Sequence, residues 1–228
     1  MKIIENLKPS LFLVPTPIGN LDDITKRAIE VLDKVDVIFC EDTRRAKILL
    51  GHIGIEKKLI PLHSYNKERK ADEVMKLLND NKRVAYISDS GTPGISDPGA
   101  ILVRRAIECG YSVSVLPGAS ALIPAVVMSG IRSDKFLFLG FPPASLSKRR
   151  KLLRSIRDIQ FTLIFYESPH RLTKFLADCV NILGDRNCTI VKEISKMHEK
   201  IMTGKISELL DYYGQERPRG EFVVIIEG

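Results

Sequence analysis

Apolar and polar residues along this chain follow two spacings that take turns. Short β-branched or aromatic runs at Leu11 to Val14, Asp36 to Cys40, Arg83 to Ile87 and Ser112 to Leu116 predict strands. Between them, apolar positions recur at helical spacing near Thr25 to Asp33, Arg45 to Leu50, Ala71 to Asn79 and Ala100 to Cys109. Strand and helix in alternation predict an α/β fold with parallel strands joined by crossover helices.

The second half repeats the theme less regularly. Strands are predicted at Phe136 to Phe141, Phe161 to Tyr166, Thr189 to Lys192 and Phe222 to Ile226, with helices near Leu172 to Leu183 and Ile206 to Tyr212. Pro142-Pro143-Ala144-Ser145 interrupts the pattern before a basic helix, in which Leu153 and Ile156 share one face and Arg150, Arg154 and Arg157 another. That basic face can bind phosphates or simply be solvated. His170 and Arg171, after Pro169, are expected to open the following helix. We read two domains, an N-terminal one over 1–118 and a smaller C-terminal α/β or α+β one over 119–228.

The predicted strands of the first half all end in loops of special chemistry. These are Pro15-Thr16-Pro17-Ile18-Gly19-Asn20, Glu41-Asp42-Thr43-Arg44, the segment Ser88 to Gly99, and Pro117-Gly118-Ala119-Ser120. In a parallel sheet the carboxyl ends of all strands lie on one edge, so the four loops are expected to gather into one crevice. The richest is Ser88-Asp89-Ser90-Gly91-Thr92-Pro93-Gly94-Ile95-Ser96-Asp97-Pro98-Gly99. Glycine admits backbone angles that other residues avoid and proline fixes its own, so the mixture specifies a shaped turn that a ligand can approach closely. A rigid strand-to-helix connection is the alternative reading of the same residues.

Composition narrows the classes. With 44% hydrophobic and 28% charged residues, the 228-residue chain has the make-up of a soluble globular protein, and a net charge of +7 suits a polyanionic partner. Cys40, Cys109, Cys179 and Cys188 form no CxxC pair, and His52, His63, His170 and His198 are scattered, so no metal site is expected. Cys40 falls in a core strand and is expected as a buried free thiol, which fits a reducing cytoplasm. Met1 to Lys8 lacks the apolar core of a leader, and the longest apolar stretch, Ala119 to Met128, is too short to span a bilayer.

Neither a GxxxxGK[ST] phosphate loop nor the dinucleotide GxGxxG spacing is present. Instead Pro15 to Asn20, Ser88 to Gly99 and Pro117 to Ser120, in that order, resemble the tetrapyrrole methylase superfamily of S-adenosylmethionine enzymes. Cys40-Glu41-Asp42-Thr43-Arg44, His63-Ser64-Tyr65-Asn66, Tyr166-Glu167-Ser168-Pro169-His170-Arg171-Leu172 and Pro218-Arg219-Gly220-Glu221 are similar to the branch that acts on small-subunit ribosomal RNA. The resemblance runs from about Leu11 to Gly228. It implies two domains with the cofactor cleft between them, a homodimer, and a bacterial cytoplasmic enzyme. Its implied reaction is methylation of the ribose 2'-oxygen of a decoding-centre cytidine in 16S ribosomal RNA, within the small subunit.

The same resemblance assigns residues. Ile18, Asp89, Gly91, Thr92, Ser120, Ala121, Tyr166 and Met197 are expected around S-adenosylmethionine. Asp89 could accept from a polar group of the cofactor, and Ser120 could offer a hydroxyl and a helix-start amide. Plain core packing is the alternative for Ile18, Ala121 and Met197. A ribose hydroxyl is a poor nucleophile at neutral pH, so a positioned base should help; Glu41 and Asp42 lead, ahead of Asp97, Lys192 and Glu193. Arg44 and Arg45 could clamp a phosphate, although Arg44 could equally pair with Glu41 or Asp42. His63 and Asn66 are the expected substrate contacts, a ring to stack and an amide to read a base edge. Two rivals remain: a methylase of a small anionic tetrapyrrole on the same fold, and a non-catalytic RNA-binding or assembly factor.

Overall fold

A computed structural model describes residues 10–228, and Met1 to Lys8, the segment read for a leader, lies outside the described residues. The chain divides into two compact units, 1–120 and 121–228.

In the first unit, strands β1 (Leu11–Leu13), β2 (Val37–Cys40), β3 (Leu59–Pro61), β4 (Val84–Ile87) and β5 (Val113–Val115) form one sheet in the order β3-β2-β4-β1-β5. Every pairing is parallel. Helices α1 (Lys26–Lys34), α2 (Thr43–His52), α3 (Lys67–Asn79) and α4 (Gly99–Glu108) make the crossovers. Leu11, Leu13, Phe39, Val84 and Tyr86 pack with α3 and α4 residues, while Phe12, Ile38, Cys40, Ala85 and Ile87 pack with α1 and α2 residues. Cover on both faces is why these strands read as continuous apolar runs. Thr25 starts α1 by accepting from the Ala28 amide at 3.0 Å, and Asp42 starts α2 by accepting from the Arg44 amide at 2.8 Å.

The second unit opens with α5 (Leu122–Ser129), β6 (Phe136–Phe138), α6 (Leu146–Ser155), β7 (Thr162–Glu167) and α7 (Leu172–Leu183). It continues with β8 (Asn187–Lys192), β9 (Lys200–Lys205), α8 (Ile206–Gln215) and β10 (Phe222–Ile226). The sheet order is β6-β7-β10-β8-β9, parallel between β6 and β7 and antiparallel elsewhere. One face buries Phe165, Ile190 and Val224 with residues of α6, α7 and α8. On the other face α5 packs on β8, β9 and β10, where the Thr189 hydroxyl donates to the Ser129 carbonyl at 3.3 Å.

Several elements differ from expectation. β3 and β9 are edge strands that the pattern missed, one three residues long and closed by Pro61, the other polar and exposed. The apolar stretch after Ala119 is the helix α5, with Pro124 tolerated in its first turn. The basic helix ends at Ser155, so Arg157 lies beyond it, and α7 begins at Leu172 with Arg171 at its cap. Arg150 is tied down: its Nε lies 2.7 Å from Asp178 Oδ1, while the buried Arg149 reaches Asp178 Oδ2 at 2.5 Å. Cys40 is a buried free thiol, its pKa pushed up to about 12 by burial.

Candidate functional site

The parallel sheet sets the site. Its strands end on one edge, where the loops after β1, β2, β4 and β5 meet as expected, joined by a fifth after β3. Thr16 and Gly91 exchange backbone hydrogen bonds at 3.0 and 2.9 Å, and the buried Thr16 hydroxyl donates to the Ser88 carbonyl at 3.1 Å. Thr92 Oγ1 donates to the Ala119 carbonyl at 3.1 Å, tying the β4 loop to the β5 loop. A side-chain carbon at Gly118 would lie 2.6 Å from Pro15 Cβ, so glycine there lets the β5 and β1 loops touch.

Gly91 is the pivot of this assembly. Its φ of +77° favours glycine, and a carbon added to it would meet Ile18 Cγ2 at 3.4 Å and the Ala119 carbonyl oxygen at 3.7 Å. Bare backbone therefore faces Ile18 with no side chain between. Ser120 lies just before Ala121, the cap residue of α5, and Ala121 belongs to the second unit.

Carboxylates gather where β2 and β4 end. The Asp89 amide donates to Glu41 Oε1 at 3.2 Å, and Asp89 Oδ1 accepts from the Asp42 amide at 2.9 Å. Asp89 Oδ2 faces Arg45 at 3.7 Å. Asp97 is consumed within its own loop, accepting from the Gly99 amide at 2.6 Å and the Gly94 amide at 2.7 Å. Such a set has acceptors for hydroxyl or ammonium groups on a ligand.

Burial separates the two leading base candidates. Glu41 is half-buried, and burial, then the nearby Asp97 and Asp89 charges, hold its carboxyl above the ordinary value. Asp42 is gripped by Arg44, whose Nε and Nη2 donate to its two oxygens at 3.1 and 2.6 Å. Those bonds bring its pKa down to about 2, so it is a weak base. Of the pairings open to Arg44, the structure forms the one with Asp42.

His63 and Asn66 sit in the fifth loop and hold each other. Asn66 Oδ1 accepts from the His63 amide at 2.9 Å, and its Nδ2 lies 3.2 Å from His63 Nε2 and 3.3 Å from the Pro61 carbonyl. The amide is thus spent on its own turn. Tyr65 between them is 98% exposed, with its ring 6.1 Å from that of His63. No role was expected for it, though aromatic residues in a polar loop are a signal for stacking.

In the second unit, Tyr166 is flanked edge-on by Phe138 at 4.9 Å and Phe141 at 5.6 Å. Met197 is almost wholly exposed, on a turn where Glu193 and Ser195 both adopt positive φ. Lys196 clamps that turn, with Nζ 2.9 Å from Glu193 Oε1 and 3.0 Å from Glu221 Oε2. The buried Glu167, unassigned from sequence, lies 3.2 Å from Arg171 Nε. Among the described residues no helix is long and apolar enough to cross a membrane.

Comparison with known proteins agrees with this architecture. The model of the tetrapyrrole (corrin/porphyrin) methylases matches residues 10–210. The chain is 42% identical to ribosomal RNA small subunit methyltransferase I of Thermotoga maritima, covering 96% of this chain and 98% of the relative. It is 44% identical to the protein of that name from Escherichia coli O157:H7, covering 98% and 79%. A crystal structure of diphthine synthase shares the fold, with a TM-score of 0.76 at 13% identity over 96% of this chain and 89% of that one. The chain therefore belongs to the tetrapyrrole methylase family, in the branch of the ribosomal RNA small subunit methyltransferases I, and is a methyltransferase whose methyl donor is S-adenosylmethionine.

Proposed function

We propose that the protein methylates the ribose 2'-oxygen of a decoding-centre cytidine in 16S ribosomal RNA. The observation that carries this reading is the placement of a half-buried, proton-avid carboxylate, Glu41, on the same sheet edge as Arg45, His63 and the exposed Tyr65. An exposed ring and a phosphate-matching guanidinium on one sheet edge suit a nucleic-acid acceptor. Relatives whose names give small-subunit ribosomal RNA as their substrate support the same acceptor.

S-adenosylmethionine carries hydroxyl, ammonium and flat apolar parts, which suits the acceptors of Asp89 and the bare backbone of Gly91 beside Ile18. Thr92 and Ser120 complete this set in the first unit, Thr92 by fixing Ala119. Ala121, Tyr166 and Met197 are assigned to the cofactor on the family pattern. When bound, the cofactor supplies an electrophilic methyl group.

Glu41 accepts the proton of the 2'-hydroxyl as its oxygen becomes the nucleophile, an assistance of about 10²- to 10⁴-fold. Asp42 starts α2 and steers Arg44, whose guanidinium stays 88% exposed and available to phosphate. Arg45 is the second phosphate contact, Tyr65 stacks on a base, and the His63–Asn66 turn holds Tyr65 in place. The acceptor is the RNA within the small subunit, and the working form is a cytoplasmic homodimer.

Transfer of labelled methyl to small subunits, naked 16S RNA and tetrapyrroles tests the acceptor. Label in the subunit RNA, at a nucleotide whose 3' bond resists alkali, is expected. Label confined to a tetrapyrrole overturns the reading.

A further inference from the structure

Helix α6 carries five cations, Lys148, Arg149, Arg150, Lys151 and Arg154, and no acidic residue. Two are taken. The buried Arg149 and its neighbour Arg150 both pair with Asp178 of α7, and Arg149 Nη1 also donates to the Ala144 carbonyl at 3.4 Å. The other three, Lys148, Lys151 and Arg154, are exposed, and among the described residues none of their side chains enters a hydrogen bond or an ion pair. Spaced three apart, they share about a third of the helix circumference and span about 9 Å of its axis.

That row works against the helix. Like charges three residues apart repel, and Lys148 stands in the first turn, where the helix end is itself positive. Glutamine would favour the helix as well as lysine or arginine without the repulsion. Nothing in the fold calls for these charges, so their use lies outside the chain. The row also has a firm footing: Asp178 braces α6 against α7, and Arg149 and Arg171 hold the preceding loop by the Ala144 and Pro142 carbonyls. Phe141 opens that loop and flanks Tyr166, a residue assigned to the cofactor.

The chemistry of the row selects its partner. A membrane-surface helix needs a free apolar face, whereas the apolar side of α6 is closed by Leu153 in the core. Unpartnered cations held in a line suit a phosphate backbone, whose counterions they release on binding. We propose that Lys148, Lys151 and Arg154 form a second contact with ribosomal RNA, a docking face that grips phosphates without reading sequence. This inference rests on the reading of RNA as the acceptor.

The test compares wild type, K148Q/K151Q/R154Q and the charge-keeping K148R/K151R/R154K, each as the whole protein. Binding to 16S ribosomal RNA and to small subunits is read by filter retention across a salt series, alongside melting and calorimetry with the cofactor. The glutamine variant should melt no lower than wild type and hold the cofactor within about twofold. Its RNA Kd should rise about tenfold, and the slope of log affinity against log salt should become shallower by about two. The charge-keeping variant should match wild type. A glutamine variant with wild-type affinity and slope marks a merely solvated face and overturns the inference, as does a charge-keeping variant that binds as weakly as the glutamine one. Labelled-methyl transfer by wild type to the same RNA keeps the two readings apart: transfer with an unchanged glutamine-variant slope leaves the acceptor reading standing, and no transfer to RNA overturns both.

Discussion

The amide of Asp89 donates to Glu41 Oε1 at 3.2 Å, so the ends of β4 and β2 are joined through the carboxylate that the chemistry needs. Burial first, then the Asp97 and Asp89 charges, raise the Glu41 carboxyl, while the Asp89 amide and Arg45 oppose them. A base works ionised. Activity should therefore rise with pH through a value above the ordinary glutamate range and then level off. D89N removes one neighbouring negative charge, and its acidic limb should move to lower pH; a rate-against-pH series on both proteins checks the direction.

Gly91 holds a left-handed φ with Ile18 and Ala119 on either side. A side chain at that φ costs about 1–2 kcal/mol, so G91A should melt a few degrees lower. The larger effect is expected on the ligand. Calorimetry should show cofactor affinity reduced by about tenfold or more, because the added carbon occupies the space against Ile18.

Much of this was legible in the sequence, for identifiable reasons. β1, β2 and β4 announce themselves because both faces of the sheet are covered, and their loops carry the glycines and prolines that a crevice edge requires. β3 escaped because three residues ending in Pro61 have no period, and β9 because Thr203 and Gly204 break its alternation. Glu41 and Asp42 are indistinguishable as letters. What separates them is pairing: the amide of Asp89, distant in sequence, reaches one, while the adjacent Arg44 grips the other.

The buried Arg149 and Asp178, with the exposed Arg150, form a charge group between α6 and α7. Burial pulls the Asp178 carboxyl upward, but the bonds from Arg150 and Arg149 outweigh it and the net shift is down. A lowered carboxyl stabilises the fold above its unfolded pKa, and that contribution is lost as pH falls through the folded value. D178A strands a buried Arg149 and should cost about 3–5 kcal/mol in urea unfolding at neutral pH. The deficit should shrink in acid.

Tyr65 stands clear of the fold, so its removal should leave stability untouched. Loss of one base stack costs about 1–3 kcal/mol. Y65A should weaken RNA binding accordingly in a filter or anisotropy assay, with cofactor affinity unchanged. Equal RNA affinity for Y65A and wild type would remove Tyr65 from the substrate site.

Nucleoside mass spectrometry of small-subunit RNA after incubation with S-adenosylmethionine and either wild type or E41Q tests the central claim most directly. Wild type should yield 2'-O-methylcytidine at one decoding-centre position, and E41Q about a hundredth as much or less. A methyl group on a base atom, or an undiminished yield from E41Q, would contradict the account.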